Sequence, residues 1–233
     1  MGEHIVSSFD DDLIELRARI SEMGGLAENQ LAMALDSMDK RNIELADQVI
    51  EKDKRIDALE MEVERLAIST IGRRQPMAQD LRLVVSTMKL STTLERIGDL
   101  SKNIAKRGRA LSAASPMSVS NSAVRMGRQV QEQLTEVLDA YIKSDVETAI
   151  SVWRRDLEID EAYNSMFREV VTYMIEDPRM ITYGSQLLFI AKNLERIGDH
   201  ATHIAEMIYY TVKGEPLGDD RPKGDPGDIA PHN

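Results

Sequence analysis

The hexapeptide Leu-Glu-Arg-Ile-Gly-Asp (LERIGD) at residues 94–99 occurs again, letter for letter, at residues 194–199. The similarity extends outside the hexapeptide, because the Met-Gly pair at residues 23–24 returns at residues 126–127. Matches kept over such a long period indicate that one structural unit has been duplicated. The sequence therefore predicts two related halves.

The composition and the spacing of apolar residues indicate an all-helical fold. Hydrophobic residues make up 42% of the 233 residues and aromatic residues only 4%, so the core must consist mainly of Leu, Ile, Val, Met and Ala. Apolar residues recur at three- and four-residue steps, for example at Leu13, Leu16 and Ile20, as one buried helix face requires. The prediction is an all-α protein of two homologous antiparallel three-helix bundles that arose by internal duplication.

The predicted boundaries divide the chain into four segments. Residues 1–111 are the first three-helix repeat and residues 119–213 the second. The small, polar and proline-broken residues 112–118 are the predicted linker. Residues 214–233 contain four of the seven prolines and no apolar periodicity, which predicts a flexible acidic tail rich in Pro and Gly.

Turn and capping residues predict where several helices begin. Asn42 is the expected N-cap of the second helix, and Pro76 is expected in the first turn of the third. Residues 144–147, Ser-Asp-Val-Glu, have the form of a capping box. Asp177 followed by Pro178 predicts an N-cap and the first position of a helix.

Each half carries two pairs of acidic residues spaced four apart, one inside the hexapeptide and one on the preceding helix. Residues four apart share one helix face, and antiparallel neighbours in a bundle can bring two pairs face to face. Four carboxylates that converge away from water need compensating positive charge, which metal ions can supply. The predicted metal ligands are Asp53, Asp57, Glu95 and Asp99 in the first half and Asp156, Asp160, Glu195 and Asp199 in the second.

Asn103 and His203, each one helical turn beyond its hexapeptide, complete the predicted ligand sets. Histidine is the better metal donor, so the two halves need not hold the same metal or bind it equally well. Oxygen ligands and the absence of cysteine suit divalent or trivalent ions such as Mg, Mn, Fe, Ca or Zn. Bridging carboxylates favour multinuclear clusters.

Two alternatives to metal-binding regulation stay open at this point. The acids could be solvated helix faces of a scaffold that pair with nearby Lys or Arg, for example Arg96 and Arg196, although the duplication of both pairs favours metal sites. A carboxylate-bridged metal centre could instead hydrolyse phosphoesters. The chain has no GxxxxGK[ST], GxGxxG, GxSxG or HExxH motif and few histidines, so a non-enzymatic protein is favoured.

Several other residues are expected to have ordinary structural roles. Gly98 and Gly198 are expected to allow a neighbouring helix or ions to approach closely. The Gly-Gly pair at residues 24–25 is expected to cause a kink or to allow a close helix contact. The remaining expectations are solvent exposure for Glu60, Glu62, Glu64 and His200, core positions for Trp153 and Phe189, and a basic helix end formed by Lys102, Lys106, Arg107 and Arg109.

Charge and hydropathy limit the partners and the compartment. The formal net charge of −11 argues against nucleic acid as the main partner. No apolar run approaches the ~18 to 20 residues that a membrane span needs, and the N-terminal sequence is acidic where a secretory signal is basic and then apolar. A cytoplasmic location is predicted.

The duplicated three-helix pattern with its acidic motif resembles the PhoU family of phosphate-uptake regulators. The likeness covers about residues 5–213, and its most specific parts are residues 94–105 and residues 194–206. The resemblance implies two related helical bundles that can bind multinuclear metal clusters. The motif residues would be Glu95, Asp99, Glu195 and Asp199.

The resemblance also implies partners and a role. Proteins of this family associate with the phosphate ABC transporter, through its ATPase subunit PstB, and with the sensor histidine kinase PhoR. They restrain phosphate uptake and the phosphate-starvation response when phosphate is plentiful. We therefore expect a cytoplasmic negative regulator that reaches the membrane through its partners and forms a homodimer.

Overall fold

The computed structural model describes residues 2–112 and 119–218, and within them all regular structure is helical. The first half contains three helices: α1 (Gly2–Asp39), α2 (Ile43–Arg74) and α3 (Gln79–Leu111). The second half contains α4 (Ser120–Lys143), α5 (Val146–Arg154), α6 (Asp156–Glu176) and α7 (Ile181–Lys213), with a 3-10 turn at Pro178–Met180 before α7. The prediction of two homologous helical bundles is confirmed.

The second helix of the second half is interrupted, which the sequence analysis did not predict. Arg155 separates α5 from α6 because its ψ angle of 1° leaves the helical range. Asp156 consequently becomes the first residue of α6, where the positive end of the helix dipole favours an anion. Asp53, the equivalent residue in the first half, lies inside the unbroken α2.

The helix termini confirm two of the capping predictions. The Asn42 side chain accepts a hydrogen bond from the backbone N–H of Leu45 at 3.0 Å and caps α2. The Asp177 side chain accepts one from the backbone N–H of Arg179 at 3.0 Å, and Pro178 begins the 3-10 turn.

Two other predicted helix starts were wrong. Pro76 precedes α3, because Gln75 and Ala78 have φ angles of 50° and 48° and form a connection before the helix begins. Ser144 ends α4 with a φ angle of 52°, so it cannot be an N-cap. Asp145 caps α5 instead, accepting hydrogen bonds from two backbone N–H groups at 3.1 Å.

The two halves share one core. The two helices that carry LERIGD, α3 and α7, pack against each other, and α1 packs against α4. A Cβ atom added to Gly24 would lie 3.3 Å from Leu138 Cδ2, and one added to Gly127 would clash with Leu35. The close helix contact predicted at residues 24–25 is thus present, and α1 stays helical through it.

The predictions for the two aromatic residues, the linker and the tail had different outcomes. Trp153 is 9% exposed, as predicted, whereas Phe189 is 54% exposed and lies 4.2 Å from the Arg107 guanidinium, so its assignment to the core was wrong. Residues 113–118 of the predicted linker and residues 219–233 of the predicted tail lie outside the described residues. Within the described ranges, no helix is both long enough and apolar enough to cross a bilayer.

Candidate metal sites at the two acidic clusters

In the first half, a lysine holds two of the predicted ligands together. Asp53 is only 3% exposed and accepts a hydrogen bond from Gln30 Nε2 at 3.0 Å. Lys102 Nζ forms a salt bridge with Asp53 Oδ2 and a second one, at 2.6 Å, with Asp99 Oδ1. The assignment of Lys102 to a basic helix end was therefore wrong, because its charge is directed into the acidic cluster and links α2 to α3.

The remaining acids of the first half lie close enough to repel one another. Burial raises the pKa of Glu95, and the charge of Asp99 raises it further. Burial and the charge of Asp53 likewise raise the pKa of Asp57. The charge of Glu60, which the sequence analysis assigned to solvent, contributes to both shifts. We call Asp53, Asp57, Glu60, Glu95, Asp99 and Lys102 the first cluster.

The second half brings its four acids together without a lysine at the equivalent position. Asp156 is 3% exposed and accepts a hydrogen bond from the Thr202 hydroxyl at 2.9 Å. Glu195 Oε1 accepts one from Lys192 at 2.8 Å, whereas its Oε2 is buried without a hydrogen-bond partner. We call Asp156, Asp160, Glu195, Asp199, Lys192 and Thr202 the second cluster.

The neighbouring charges in the second cluster act on Glu195. Burial raises the pKa of Glu195, partly offset by the hydrogen bond from Lys192, and the charges of Asp199 and Asp160 raise it further. The Lys192 ammonium also lies 5.3 Å from the centre of the Tyr163 ring. Its side chain is 44% exposed, so this lysine sits at the edge of the cluster.

The glycine of each hexapeptide allows this close packing. A Cβ atom on Gly98 would lie 3.0 Å from Ile56 Cδ1 and 3.2 Å from Gln30 Oε1. One on Gly198 would lie 3.2 Å from Ile159 Cγ2. The predicted close approach of a neighbouring helix at both glycines is confirmed.

Asn103 and His203 lie at exposed positions along the boundary between α3 and α7. Asn103 borders a cavity of about 470 Å³ between these two helices. His203 lines a groove beside α3 together with Lys89, and its Nδ1 lies 3.2 Å from Glu206 Oε2. The difference between the buried parts of the two clusters lies instead at Lys102 and Thr202.

Residues of both hexapeptides line this same cavity. Its lining includes Arg96 and Asp99 from α3, and Arg196 and Asp199 from α7, next to His200. His200 was expected to be exposed but is half-buried. Burial is the main cause that lowers the pKa of His200, and the positive charge of Arg96 lowers it further. No salt bridge of either arginine is found in residues 2–112 and 119–218. Lys102 and Lys192 do pair with acids of the two clusters, as the alternative of charge-paired helix faces expects.

The donor atoms of both clusters are of the type that hard cations bind. Among the described side chains, no three acidic or histidine residues converge closely enough, as they stand, to enclose a metal ion. Both clusters offer carboxylate oxygens, the ligands that Mg, Mn and Ca prefer. Glu195 Oε2 is buried and accepts no hydrogen bond, so a cation that bound it would displace no donor. In the first cluster, Lys102 already neutralises Asp53 and Asp99.

Several residues in or beside these clusters were not predicted from the sequence. Gln30 and Gln133 lie 103 residues apart, and each donates to a backbone carbonyl, that of Val49 at 3.3 Å and that of Val152 at 3.4 Å. The constant offset was the signal that could have identified this pair. Lys102 offered no such signal, since its counterpart in the repeat is a threonine.

Comparison with known sequences identifies the repeated unit. A model of the PhoU domain matches residues 20–108 and again residues 123–208. A Caulobacter vibrioides protein named phosphate-specific transport system accessory protein PhoU homolog is 51% identical over 226 residues, covering 97% of this chain and 98% of its own length. The Escherichia coli protein named phosphate-specific transport system accessory protein PhoU is 35% identical, covering 92% and 89%.

Solved structures agree with these matches. The crystal structure of PhoU from Pseudomonas aeruginosa superposes with a TM-score of 0.86 at 38% identity, covering 89% of this chain and all of that one. The phosphate transport system regulatory protein PhoU from Streptococcus pneumoniae superposes with a TM-score of 0.80 at 29% identity, covering 90% and 99%. The likeness therefore includes both halves and their arrangement.

Proposed function

Because the chain belongs to the PhoU family, we propose that it is a non-enzymatic accessory protein that regulates phosphate transport. The observation that carries this proposal is the 51% identity to the Caulobacter relative, a named transport accessory protein, over nearly the whole of both chains. The duplicated acidic motif agrees with this role, since it lies on the two helices that join the halves.

The regulation would act through protein contacts on the cytoplasmic side of the membrane. The partners are the ATPase subunit PstB of the phosphate ABC transporter and the sensor histidine kinase PhoR. Binding to them restrains phosphate uptake and the phosphate-starvation response when phosphate is plentiful. The functional unit is a homodimer, which light scattering of the purified protein tests directly.

Metal ions would contribute to shape rather than to chemistry on a substrate. Asp53 belongs to α2, whereas Glu95 and Asp99 belong to α3, so a cation bound between them cross-links two helices. Asp156 on α6 and Asp199 on α7 have the same relation in the second half. A bound metal supplies positive charge that holds these carboxylates together and thereby fixes the surface of each bundle.

The experiment that tests the regulatory function is co-purification of the full chain with the transporter ATPase and with the kinase. The matched variants are Glu95→Ala/Asp99→Ala in the first cluster and Glu195→Ala/Asp199→Ala in the second. We expect wild-type protein to retain both partners and the variants to retain them less well. Failure of the wild type to bind either partner, or metal-dependent phosphatase turnover that the variants lack, would contradict the proposal.

A further inference from the structure

We propose that a groove between the first half of α3 and the second half of α7 is the docking site for an acidic, amphipathic helix of a partner protein. The groove consists of two adjoining cavities of about 810 and 360 Å³, which share Lys89 and His203. We call it the α3–α7 groove; residues between 78 and 96 line one side and residues between 200 and 218 the other. The inference rests on the proposed function and adds to it a contact surface and the chemistry of the segment that binds there.

Three basic residues line the groove at steps of seven along α3: Arg82, Lys89 and Arg96. Residues seven apart lie on one face of a helix, two turns from each other. At a rise of about 1.5 Å per residue, this basic row extends over about 21 Å. A partner helix of about four turns that lies alongside α3 can present acidic side chains at the same period.

The basic row has no counter-charge of its own. None of its three residues forms a salt bridge within residues 2–112 and 119–218, and Arg82 Nε is buried without a hydrogen-bond acceptor. Other cations of the protein do pair with acids, as Arg55 does with Glu22 at 2.6 Å. In a chain with a formal net charge of −11, a row of cations without acidic partners forms a local surface that attracts acidic groups.

The acidic residue that lines this groove, Glu206, is already engaged by other side chains. Its Oε1 accepts a hydrogen bond from Trp153 Nε1 at 3.2 Å. Its Oε2 lies 3.2 Å from His203 Nδ1. Glu206 therefore leaves the charges of the basic row available to a partner.

Apolar side chains beside the basic row offer contacts to the apolar face of such a helix. Leu81 and Val85 on α3 are each 38% exposed, and Tyr210 on α7 is 41% exposed. All three line the larger cavity, together with the mostly buried Met207. Burial of these side chains against a partner removes apolar surface from water. A helix with acidic residues on one stripe and apolar residues on the next matches both parts of the groove.

The first test measures binding of a synthetic peptide to the full chain by fluorescence anisotropy. The peptide is an alanine-rich helix of about 20 residues with Leu on one stripe and Glu on the neighbouring stripe, and the control peptide has Lys in place of each Glu. We expect the acidic peptide to bind and the lysine peptide not to bind. Lys89→Glu/Arg96→Glu, at two exposed positions, should weaken binding of the acidic peptide by about tenfold or more.

The matched control is Arg65→Glu/Lys106→Glu, which changes the net charge equally at two exposed positions outside the groove and should leave binding nearly unchanged. Far-UV circular dichroism checks that both double variants are folded. A wild type that does not bind the acidic peptide, or an equal loss of affinity in the two double variants, would overturn the proposal.

A cross-linking experiment identifies the natural occupant. The Val85→benzoylphenylalanine substitution places a photoreactive group in the groove of the full chain, which is then mixed with the transporter ATPase or the kinase. We expect cross-links to an acidic helical segment of the protein that binds. Cross-links to residues 219–233 of the same chain, or to a second copy of it, would assign the groove to that occupant and refute the proposal.

The two ideas can fail separately. Binding of the acidic peptide without binding of the ATPase or the kinase contradicts the proposed function and leaves the chemistry of the groove intact. Binding of these proteins that Lys89→Glu/Arg96→Glu does not weaken contradicts the docking site and leaves the proposed function intact.

Discussion

Lys102→Met should destabilise the metal-free protein, because it leaves Asp53 buried without its cation. Removing one partner of a buried ion pair typically costs about 3–5 kcal/mol in the free energy of unfolding. Asp53 keeps its hydrogen bond from Gln30, and Lys102 is itself 22% exposed, which reduces the effect. We therefore expect a loss of about 2–3 kcal/mol, at or below the lower limit of that range.

The assay is urea unfolding followed by circular dichroism at pH 7 in the presence of a chelator, so that no metal replaces the lysine. The control is Lys192→Met, the other lysine that contacts a cluster. Its side chain is 44% exposed, so we expect a loss of only about 1 kcal/mol or less. The denaturant dependence of the free energy should stay the same in both variants.

A double variant separates the charge from the packing of the side chain. Lys102→Met/Asp53→Asn has no buried charge to leave unpaired, so it should recover part of the stability that Lys102→Met loses. If Lys102→Met is no more destabilising than Lys192→Met, or if the double variant recovers nothing, Lys102 does not neutralise Asp53 in the way described. The same variants with added Mn²⁺ should show a larger stabilisation of Lys102→Met than of the wild type.

Three further predictions concern the fold and the second cluster. Gly127→Ala should destabilise the protein by about 1–3 kcal/mol in urea unfolding, because the new Cβ meets Leu35 across the junction of the halves. Gly25→Ala, with no atom within 4 Å of the new Cβ, should stabilise the protein by up to about 1 kcal/mol. Equal effects of the two substitutions would contradict this packing. Asp145→Ala should lower the melting temperature through loss of the cap of α5, whereas Ser144→Gly should not lower it, since φ at that position is 52°; thermal unfolding compares the two. Because burial raises the pKa of Glu195, the folded state holds that proton more tightly than the unfolded chain, so this residue's contribution makes metal-free stability fall as pH rises from the ordinary glutamate value of 4.5. Glu195→Gln should make that fall shallower in a pH series of urea unfolding curves, and an unchanged slope would refute it.

The sequence alone determined the helical class, the duplication and the set of eight acids. These features depend on periodicity and on repetition along the chain, which any arrangement of neighbouring helices preserves. Asn42 and Asp177 were predictable for the same reason, because a cap depends on backbone groups only two or three residues away. Proximity of the acids within each half followed from antiparallel packing of consecutive helices.

The tertiary structure decided that the charge of Lys102 lies inside the first cluster. Lys102 has a flexible side chain whose direction is not set by its position on α3, and only the nearness of Asp53 on α2 determines where its charge goes. The break at Arg155 likewise shows in the backbone and not in the pattern of apolar residues, yet it places Asp156 at a helix start. The repeat makes the two halves similar in sequence, and contacts between helices make their electrostatics different.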